Sequence, residues 1–570
     1  MAEIRFEEII YQRPNLTKIK EEMAVLTERL RTAATYEAAR EVFRQIDQIQ
    51  RHVATMAHVA DVRQNINTND PFYDSEKKWL DDASVEFEEA THKAKQVLLK
   101  SPFRKEFEAE YGELMFLNAE IAAKSFAPVI MKAMQEEIKT ANAYEDLLAS
   151  ARVPFRGKEY TLPEMERFKT DLDDETRLAA WIADGQWYKD NQQMLDDSFD
   201  TLVRLRDGMA RTMGYPDYVE LGYYRMGRNC YDRHDVEKFR QAVVEYVVPL
   251  AQRIYFEQAK RNNKPFPLTF SDAAVEFMTG NARPVGGLKE IVEAARKFYD
   301  AQSPETSAFF NSMIERGMMD LESKEGKRGG GYCIDIPDYN TPFIFANFNG
   351  TQHDVEVLTH EAGHGFEAWL NMERIPYEYV WPTMEAAEVH SMSMEVFAEK
   401  AAEAFFGKDA NKYLFSHLAG AITFIPYGTM VDHFQHIVYE KPGLTRKQRH
   451  EEWKRLERMY RPWLKLDGAI PFWSEGESWQ FKHHIYSSPF YYIDYCLAQT
   501  VALEFWAMIQ DDEQDAWQHY MAFTKMGGTK TFTDLLAASG MSSPFDPETL
   551  HRVCAKADAY LDAFDLRGIK

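Results

Sequence analysis

The sequence predicts a mainly α-helical protein that carries one small β-sheet. Apolar residues recur at intervals of three and four over most of the chain, which is the spacing of helices that bury one face. The region around residues 329–348 departs from this spacing and has the short apolar runs that are typical of strands. With 570 residues, 45% of them apolar and 14% aromatic, the chain can bury a large core, and its aromatic content excludes a mainly disordered protein.

Long helices are expected at the beginning of the chain. Thr35 is a predicted N-cap that starts a helix. The segment Asn69–Pro71 is expected to end that helix and to start the next one. The apolar residues at helical spacing in these two helices are Ile46, Ile49, Val53, Met56, Ala60, Trp79, Val85, Phe87 and Ala90. Short loop signals between the helices predict antiparallel packing, as in helical bundles.

A change of pattern at residues 153–162 marks a predicted domain boundary. The segment has the composition of a small hairpin that turns near Gly157. We therefore divide the chain into an N-terminal helical lobe, residues 1–160, and a second domain, residues 161–570. Helical spacing resumes after the hairpin and continues to about residue 320.

Paired strands are expected inside the second domain. Residues 329–336 and 341–348 are two short apolar segments that a turn-forming Pro-Asp-Tyr-Asn sequence separates. The three glycines at 329–331 could suggest a phosphate-binding loop, but no Gly-Lys-Ser/Thr follows them. We interpret them as a strand edge that a peptide backbone can approach. Helix is expected again from residue 350 to about residue 525.

Charge and cysteine content exclude several classes of protein. The chain has 67 basic and 91 acidic residues, a net charge of −24, so neither nucleic acid nor an anionic membrane is an expected partner. Its 4 cysteines are far apart and form neither a disulfide framework nor a thiolate zinc site. Apolar runs such as Leu418–Ile425 are shorter than the ~20 residues that span a bilayer. The first ten residues do not resemble a signal peptide, so a cytoplasmic protein is expected.

The clearest chemical signal is the segment His360–His364, which reads His-Glu-Ala-Gly-His. Side chains four positions apart lie on the same face of a helix, so His360 and His364 can ligate one metal ion. Glu361, one position further along, can reach a water on that ion without being a ligand. The alternative interpretation is a pair of structural histidines in a helix.

A third metal ligand is expected on the helix that begins near Pro382, because a catalytic zinc needs three protein ligands and one open position. Glu385, Glu388 and His390 are all candidates, and their spacing alone does not choose among them. Glu385, Glu388 and Glu395 fall on one face of this helix. In a chain of net charge −24, an acidic face that is merely solvated is the alternative.

These segments resemble the thimet-type oligopeptidases, which are zinc metallopeptidases, and most closely their oligoendopeptidase F branch. The matching segments are Phe345–Gly350, His353–Glu356, His360–His364, Ala387–Met392, Asp432–Glu440, Leu221–Gly222–Tyr223 and Arg228–Tyr231. The resemblance is good over about residues 160–560 and only general in the N-terminal helices. It implies one Zn²⁺ ion per chain, with Glu388 as its third ligand.

The resemblance also implies residues that stabilise the oxyanion. Peptide hydrolysis builds negative charge on the former carbonyl oxygen, and hydrogen-bond donors aimed at it lower the barrier. His484, Tyr491 and Tyr495 match the family segment best, and Tyr492 and Tyr486 remain alternatives because the tyrosine spacing differs between branches. For any single tyrosine, packing in the core is the alternative interpretation.

In this family a strand before the zinc helix lies along the substrate, which implies Phe345, Ala346 and Asn347 as substrate-binding residues. The resemblance further implies two helical lobes around a deep channel that admits short unfolded peptides. His433 and His436 are three positions apart with Asp432 beside them. We interpret these histidines as structural or substrate-orienting residues rather than as a second metal site.

The expected function is that of a zinc endopeptidase that hydrolyses internal bonds of oligopeptides. Glu361 would take a proton from a water that the zinc polarises and pass it to the leaving amine. A carboxypeptidase of similar fold is the closer alternative, and a catalytically dead helical peptide-binding protein is the more distant one. Neither the cleavage preference nor the oligomeric state follows from the sequence.

Overall fold

Helices account for most of the chain in the computed structural model, which describes residues 4–566 and 569. The first three residues, which belong to the N-terminal segment that was compared with a signal peptide, lie outside the described residues. The mainly helical class with small sheets is confirmed.

Capping side chains start the N-terminal helices where the sequence places them. The side chain of Thr35 accepts a hydrogen bond from the backbone N–H of Ala38, and that of Asp70 accepts one from Phe72, with Pro71 in the first helical position. The helices are α1 (Leu16–Arg31), α2 (Tyr36–Ile66), α3 (Pro71–Leu99), α4 (Arg104–Tyr111), α5 (Leu114–Ser125) and α6 (Met131–Ala149). Parts of α1 to α5 share a separate small core.

The predicted hairpin is present at residues 153–160. Strands β1 (Val153–Phe155) and β2 (Lys158–Tyr160) pair antiparallel. Arg156 and Gly157 form the turn, and both have positive φ angles, 50° and 78°. Two positive φ angles in a two-residue loop match the right-handed twist of the flanking strands. The domain boundary that we place here stays a prediction.

Helices follow from the hairpin to residue 315, as expected. They are α7 (Leu162–Lys169), α8 (Asp174–Asp190), α9 (Gln192–Thr212), α10 (Tyr218–Arg225), α11 (Arg233–Ala242), α12 (Val248–Arg261), α13 (Phe270–Ala273), α14 (Leu288–Gln302) and α15 (Pro304–Glu315). A π-helical turn, Val243–Val247, joins α11 to α12. Such turns are uncommon and widen a helix locally.

A three-stranded sheet lies between α15 and the next helix. Its strands are β3 (Met319–Glu322), β4 (Tyr332–Ile336) and β5 (Thr341–Phe348), in the order β3-β5-β4. The expected pairing of β4 with β5 is confirmed as antiparallel. Strand β3, which pairs parallel with β5, was not predicted, because a parallel partner needs a long connection that leaves no local turn signal.

Three helices build the centre of the second domain. Helix α17 (Met384–Ala398) packs against α16 (Gln352–Asn371) on one side and against α22 (Tyr492–Asp511) on the other. Almost every residue of α17 is buried, including Glu385 at 1% and Glu388 at 2% exposure. The acidic face of this helix is therefore not a solvated surface, and its carboxylates need partners inside the protein.

The C-terminal part is helical beyond the expected end near residue 525. Its other helices are α18 (Ala402–Phe406), α19 (Ala410–Glu440), α20 (Arg446–Tyr460), α21 (His483–Ser487), α23 (Glu513–Thr524), α24 (Phe532–Ser539) and α25 (Pro547–Ala563). The start of α25 has an ordinary signal that the sequence analysis missed. Asp546 caps this helix, and Pro547 occupies its first position.

The helical stretch Met384–Glu440 is long and apolar enough to cross a membrane by length and composition alone. In this structure, 61% of the 18-residue apolar segment that meets this criterion is buried inside the protein. Core helices of this kind pass the same test, because burial against other helices demands the same apolar composition.

Candidate active site

Helix α16 presents His360 and His364 on one face, as their spacing predicts. A glycine between them lets the next helix approach closely. A Cβ atom on Gly363 would lie 2.6 Å from the carbonyl oxygen of His390 and 2.7 Å from Cα of Ser391, both in α17. Only a glycine therefore fits this crossing, which brings the side chain of Glu388 to the two histidines.

Three side-chain atoms converge at this crossing. Oε2 of Glu388 lies 3.3 Å from Nε2 of His360 and 3.4 Å from Nε2 of His364. The potential ligand atoms of these three residues all lie within 4.8 Å of one another. Among the described residues, no other group of three His, Cys, Asp or Glu side chains comes this close together. Two imidazole nitrogens and one carboxylate oxygen fit a divalent metal ion such as zinc.

The orientation of His360 supports this fit. Its Nδ1 lies 2.7 Å from Oε1 of Glu395, so its Nε2 is turned toward the cluster. Oε2 of Glu395 lies 3.3 Å from Nε2 of His417, whose Nδ1 lies 2.7 Å from Glu399. The spacing of α17 predicts that Glu395 shares a face with Glu388, but it does not reveal the contact of Glu395 with His360. No sequence pattern indicated His417 and Glu399, because only the fold brings these residues near Glu395.

The other candidate ligands on α17 point elsewhere. Oε1 of Glu385 accepts a hydrogen bond from Thr383 at 2.9 Å. The imidazole of His390 packs on Phe523, with ring centroids 4.9 Å apart, and its two nitrogens have no hydrogen-bond partner in the described part of the chain. Of the three alternatives that spacing left open, Glu388 is thus the one that the fold brings to the histidines.

Glu361 lies beside the cluster and is almost fully buried, with 7% of its surface exposed. Burial raises the pKa of its carboxyl, and the imidazoles of His360 and His364 act in the opposite direction. The pKa of Glu388 behaves differently: burial acts to raise it, but His364 and His360 hold it well below its usual range. The carboxyl of Glu361 is thus suited to proton transfer, and that of Glu388 is suited to remaining charged.

Two of the expected tyrosines face the cluster. The hydroxyl of Tyr491 donates a hydrogen bond to Oε1 of Glu388 at 2.6 Å. The rings of Tyr491 and Tyr495 are 4.9 Å apart, and the imidazole of His484 lies 5.8 Å from the first and 5.9 Å from the second. The structure therefore brings His484, Tyr491 and Tyr495 together near the cluster.

The two alternative tyrosines occupy different surroundings. Tyr486 is fully buried, stacks on Tyr144 at 3.8 Å and donates its hydroxyl to the carbonyl oxygen of Leu195. It is a core residue. Tyr492 packs edge-on against Phe424 at 5.8 Å, although its ring also lies 4.8 Å from that of His484.

Phe345, Ala346 and Asn347, which are expected to bind substrate, lie near the end of strand β5. Strand β5 is central: Phe345 pairs with Asp320 of β3 and with Tyr332 of β4, whereas Ala346 and Asn347 lie beyond the last pair with β4. Phe345 and Ala346 are fully buried, and Nδ2 of Asn347 donates to the carbonyl oxygen of Gly330 at 2.8 Å. Their role in substrate binding stays a prediction.

The glycines that precede β4 lie nearer to the site. A Cβ atom on Gly331 would be 3.0 Å from Val357 and 3.6 Å from Oε1 of Glu361. Strand β4, which follows these glycines, is an edge strand. A side chain at position 331 would therefore intrude on the space beside Glu361.

A cavity of about 610 Å³ adjoins the cluster at Tyr491. Its walls come from both predicted domains: Lys95, Leu114, Asn118, Ile121, Ala122 and Ser125 on one side, and Tyr224, Arg225, Trp381, Met384, Tyr491 and Lys530 on the other. A larger cavity of about 1140 Å³ lies between α12 and the C-terminal segment and shares no lining residue with the cluster. The smaller cavity reaches the cluster only through Tyr491, whose hydroxyl contacts Glu388.

Two family models match the chain. Residues 6–126 match the Peptidase M3 N-terminal domain, and residues 300–553 match Peptidase family M3. The second range contains the cluster, Glu361, His484 and the tyrosines. The first range ends at Phe126, the residue after α5, and therefore before the predicted domain boundary at residue 160.

Solved structures and curated relatives agree with these matches. One structure, provisionally assigned as an oligoendopeptidase F, is 39% identical with a TM-score of 0.95, and the match covers 99% of both chains. The structure of PZ peptidase A with an inhibitor is 38% identical with a TM-score of 0.95, over 98% of this chain and 100% of that one. An oligoendopeptidase F homolog from Borreliella burgdorferi is 23% identical, and the alignment spans 68% of this chain and 64% of that protein. The resemblance seen in the sequence is confirmed: the chain belongs to peptidase family M3, with oligoendopeptidase F among its relatives.

Proposed function

We propose that this protein hydrolyses internal peptide bonds of short, unfolded oligopeptides, and that zinc is its metal. The observation that carries the proposal is the convergence of His360, His364 and Glu388, with Glu361 buried beside them. The names of the relatives, oligoendopeptidase F and oligopeptidase PepF, support the substrate class and the internal position of the cut.

The residues of the site divide the chemistry among them. A divalent cation at His360, His364 and Glu388 would supply Lewis acidity, which lowers the pKa of a water and polarises a peptide carbonyl. Glu361 accepts a proton from water and returns it to the leaving amine. The hydroxyl of Tyr495 donates to the oxygen on which negative charge develops. The hydroxyl of Tyr491 does the same when its hydrogen turns from Glu388 to that oxygen, and His484 assists both.

Zinc is proposed from the donor set. Mixed nitrogen and oxygen ligands in a group of three suit zinc, although cobalt or manganese can occupy such sites. The contact between Glu395 and Nδ1 of His360 supports a metal over a structural pair, because it leaves Nε2 free to act as a ligand. One ion per chain is proposed.

The cavity beside Tyr491 supports a substrate path between the two predicted domains. We propose that residues 1–160 form one lobe, that residues 161–570 form the other, and that peptides enter between them. If this entrance is narrow, it admits extended chains and excludes folded proteins. We also propose that the protein acts in the cytoplasm, without nucleic-acid or membrane partners; its charge of −24 supports the exclusion of anionic surfaces.

The test uses a pool of peptides with acetylated N-termini and amidated C-termini, analysed by mass spectrometry. An endopeptidase cuts blocked peptides internally, whereas a carboxypeptidase needs the free C-terminus and leaves them intact. Activity should disappear with a chelator and return with zinc. Full activity in chelator would overturn the metal proposal, and cleavage confined to peptides with free C-termini would favour the carboxypeptidase.

A matched pair of variants tests the ligand assignment. His360→Ala should abolish stoichiometric zinc binding, measured by atomic absorption after dialysis. His551→Ala replaces a histidine whose side chain is 56% exposed and should retain both metal and activity. Equal zinc content in the two variants would contradict the assignment of His360.

A further inference from the structure

Three family-like segments of the sequence have no part in the metal cluster: Leu221–Tyr223, Arg228–Tyr231 and the beginning of Asp432–Glu440. Most of their side chains are buried, with Arg228 at 2% and Gln435 at 0% exposure. The structure brings all three segments to a single residue, Phe490, which immediately precedes Tyr491. This convergence indicates that the three segments share a structural role at Phe490, separate from metal binding.

Phe490 has an unusual backbone conformation. It is the third residue of a turn, Ser488–Tyr491, which the N–H of Tyr491 closes by donating to the carbonyl oxygen of Ser488 at 3.2 Å. Its φ angle is +67°, in the left-handed region. Turns with Pro in the second position and a positive φ in the third favour glycine in that third position. A phenylalanine stays in this conformation only when its surroundings hold it there.

Two side chains, one from the loop between α10 and α11 and one from α19, hold both backbone groups of Phe490. Its N–H donates to Oε1 of Gln435 at 2.9 Å, and its carbonyl oxygen accepts a hydrogen bond from Nη2 of Arg228. The same Nη2 donates to Oδ1 of Asp494 at 2.7 Å, in the first turn of α22. Arg228 therefore ties the turn to the beginning of the helix that carries Tyr495.

The ring of Phe490 is enclosed as closely as its backbone. A Cβ atom on Gly222 would lie 2.7 Å from the ring, so the glycine leaves just enough room for it. The rings of His436 and Tyr223 lie 5.2 Å and 5.5 Å from that of Phe490. His436 thus packs on this turn and contacts the hydroxyl of Tyr223 at 2.9 Å, as expected for a structural histidine.

Stability alone is a poor explanation for Arg228. Its Nε and Nη1 are buried and have no hydrogen-bond partner among the described residues. Buried unpaired donors cost free energy, and a buried ion pair is often no more stable than an apolar replacement. The geometry that Arg228 imposes on residues 490 and 494 is the feature that an apolar side chain could not reproduce.

We propose that Arg228 and Gln435 are positioning residues for Tyr491. By holding Phe490 in its left-handed conformation, they set the direction of the next residue, whose hydroxyl lies 2.6 Å from Glu388. The inference rests on the proposed function, in which this hydroxyl stabilises the developing negative charge. Neither residue touches the reacting atoms; both act through the turn.

The first experiment compares Arg228→Lys with Arg177→Lys. Lysine keeps the positive charge beside Asp494 but cannot hold Phe490 and Asp494 with the geometry of a guanidinium. We expect kcat to fall by about 10²-fold with KM nearly unchanged, because a displaced catalytic group loses rate rather than ground-state binding. Arg177 is equally buried, at 1% exposure, and donates to the carbonyl oxygens of Ser271 and Asp171. Its replacement should lower the melting temperature and leave kcat intact.

A double-variant cycle with Tyr491→Phe separates this inference from the proposed function. If Arg228 acts through Tyr491, the double variant should be no slower than Tyr491→Phe alone. If the rate losses of the two single variants multiplied in the double variant, the inference would be overturned. A normal kcat in a folded, metal-loaded Arg228→Lys protein would also overturn it. In both cases the role of Tyr491 would stand. A normal kcat in Tyr491→Phe would instead reject the role of Tyr491 itself, and the inference with it.

Gln435 gives a second test that does not depend on the folding of the arginine variant. Gln435→Met removes the acceptor of the Phe490 N–H at similar volume and should lower kcat with KM and zinc content unchanged. Gln435→Glu keeps an oxygen in that place and should recover most of the rate. If Met and Glu at position 435 gave equal rates, the hydrogen bond to Phe490 would have no positioning role.

Discussion

At the scale of residues, two buried glutamates beside the same histidines have opposite electrostatic environments. Burial raises the pKa of Glu361, whereas the imidazoles of His364 and His360 hold that of Glu388 well below its usual range. Glu388 lies within 3.4 Å of both imidazoles, and Glu361 is not part of that cluster. The two residues should therefore fail in different ways when they are replaced.

Glu361→Gln should retain the metal and lose about 10²–10⁴-fold in rate, because the amide cannot transfer a proton. Glu388→Ala should instead weaken metal binding. Metal content after dialysis and kcat on a quenched peptide distinguish the two effects. The reverse pattern, with metal lost in Glu361→Gln and retained in Glu388→Ala, would exchange the assigned roles.

Tyr495→Phe and Tyr491→Phe should each lower kcat and kcat/KM by about 10²–10³-fold with KM nearly unchanged, because the oxyanion exists only in the transition state. Their zinc content should stay normal. Tyr144→Phe is the matched control, since this buried hydroxyl donates to the carbonyl oxygen of Gln480 at 2.9 Å and lies in the core. It should lower stability and leave the rate per folded molecule intact. If the site variants behaved like this control, the donor role would pass to Tyr492.

At the scale of elements, the contact between α16 and α17 decides whether a metal site exists. Gly363 leaves α16 without a side chain where the backbone of α17 passes, and Glu388 lies on the part of α17 that faces the histidines. A small separation of the two helices would move the carboxylate away from both Nε2 atoms. Gly363, the residue just before His364, is therefore needed for the geometry of the metal site.

Gly363→Ala should destabilise the protein by about 1–3 kcal/mol, as overpacking of a close contact does, and should weaken zinc binding. Gly208→Ala is the matched control, because a Cβ atom on this exposed glycine of α9 would meet nothing within 4 Å. Alanine there should raise stability by up to about 1 kcal/mol through helix propensity. Thermal melts and zinc titrations measure both effects, and normal zinc affinity in Gly363→Ala would contradict the requirement for close approach.

At the scale of the whole molecule, the cavity beside Tyr491 has walls from helices α3 and α5 and from the second domain. If substrates reach the site between these walls, chain length and folding should limit what is cut. A folded protein cannot extend a strand into a space of this size, whereas a short peptide can.

The proposed entrance predicts that peptides of about 5–20 residues are cut while native globular proteins are not, a limit that the family resemblance implies. A folded protein and the peptides that cyanogen bromide releases from it provide the comparison, because both contain the same sequences. Mass spectrometry should detect internal cuts in the peptides alone. Cleavage of the native protein at a comparable rate would contradict a restricted entrance.

Local geometry is what the sequence by itself determined. His360 and His364 share a face because four residues make about one helical turn, and the caps at Thr35 and Asp70 act within two or three residues of themselves. The hairpin at Gly157 and the pairing of β4 with β5 also depend on short segments and their turns. The candidate metal ligands on α16 and the helical class could be predicted for this reason.

Only the tertiary structure decided the features that depend on contacts between distant segments. The choice of Glu388 over Glu385 and His390 depends on how α16 crosses α17, and the central place of β5 depends on its pairing with β3. The surroundings of Tyr486, a core residue, and the hold of Arg228 on Phe490 join residues more than 200 positions apart. Such contacts form because the whole chain buries its apolar surface together, and no local pattern of residues records which segments will meet.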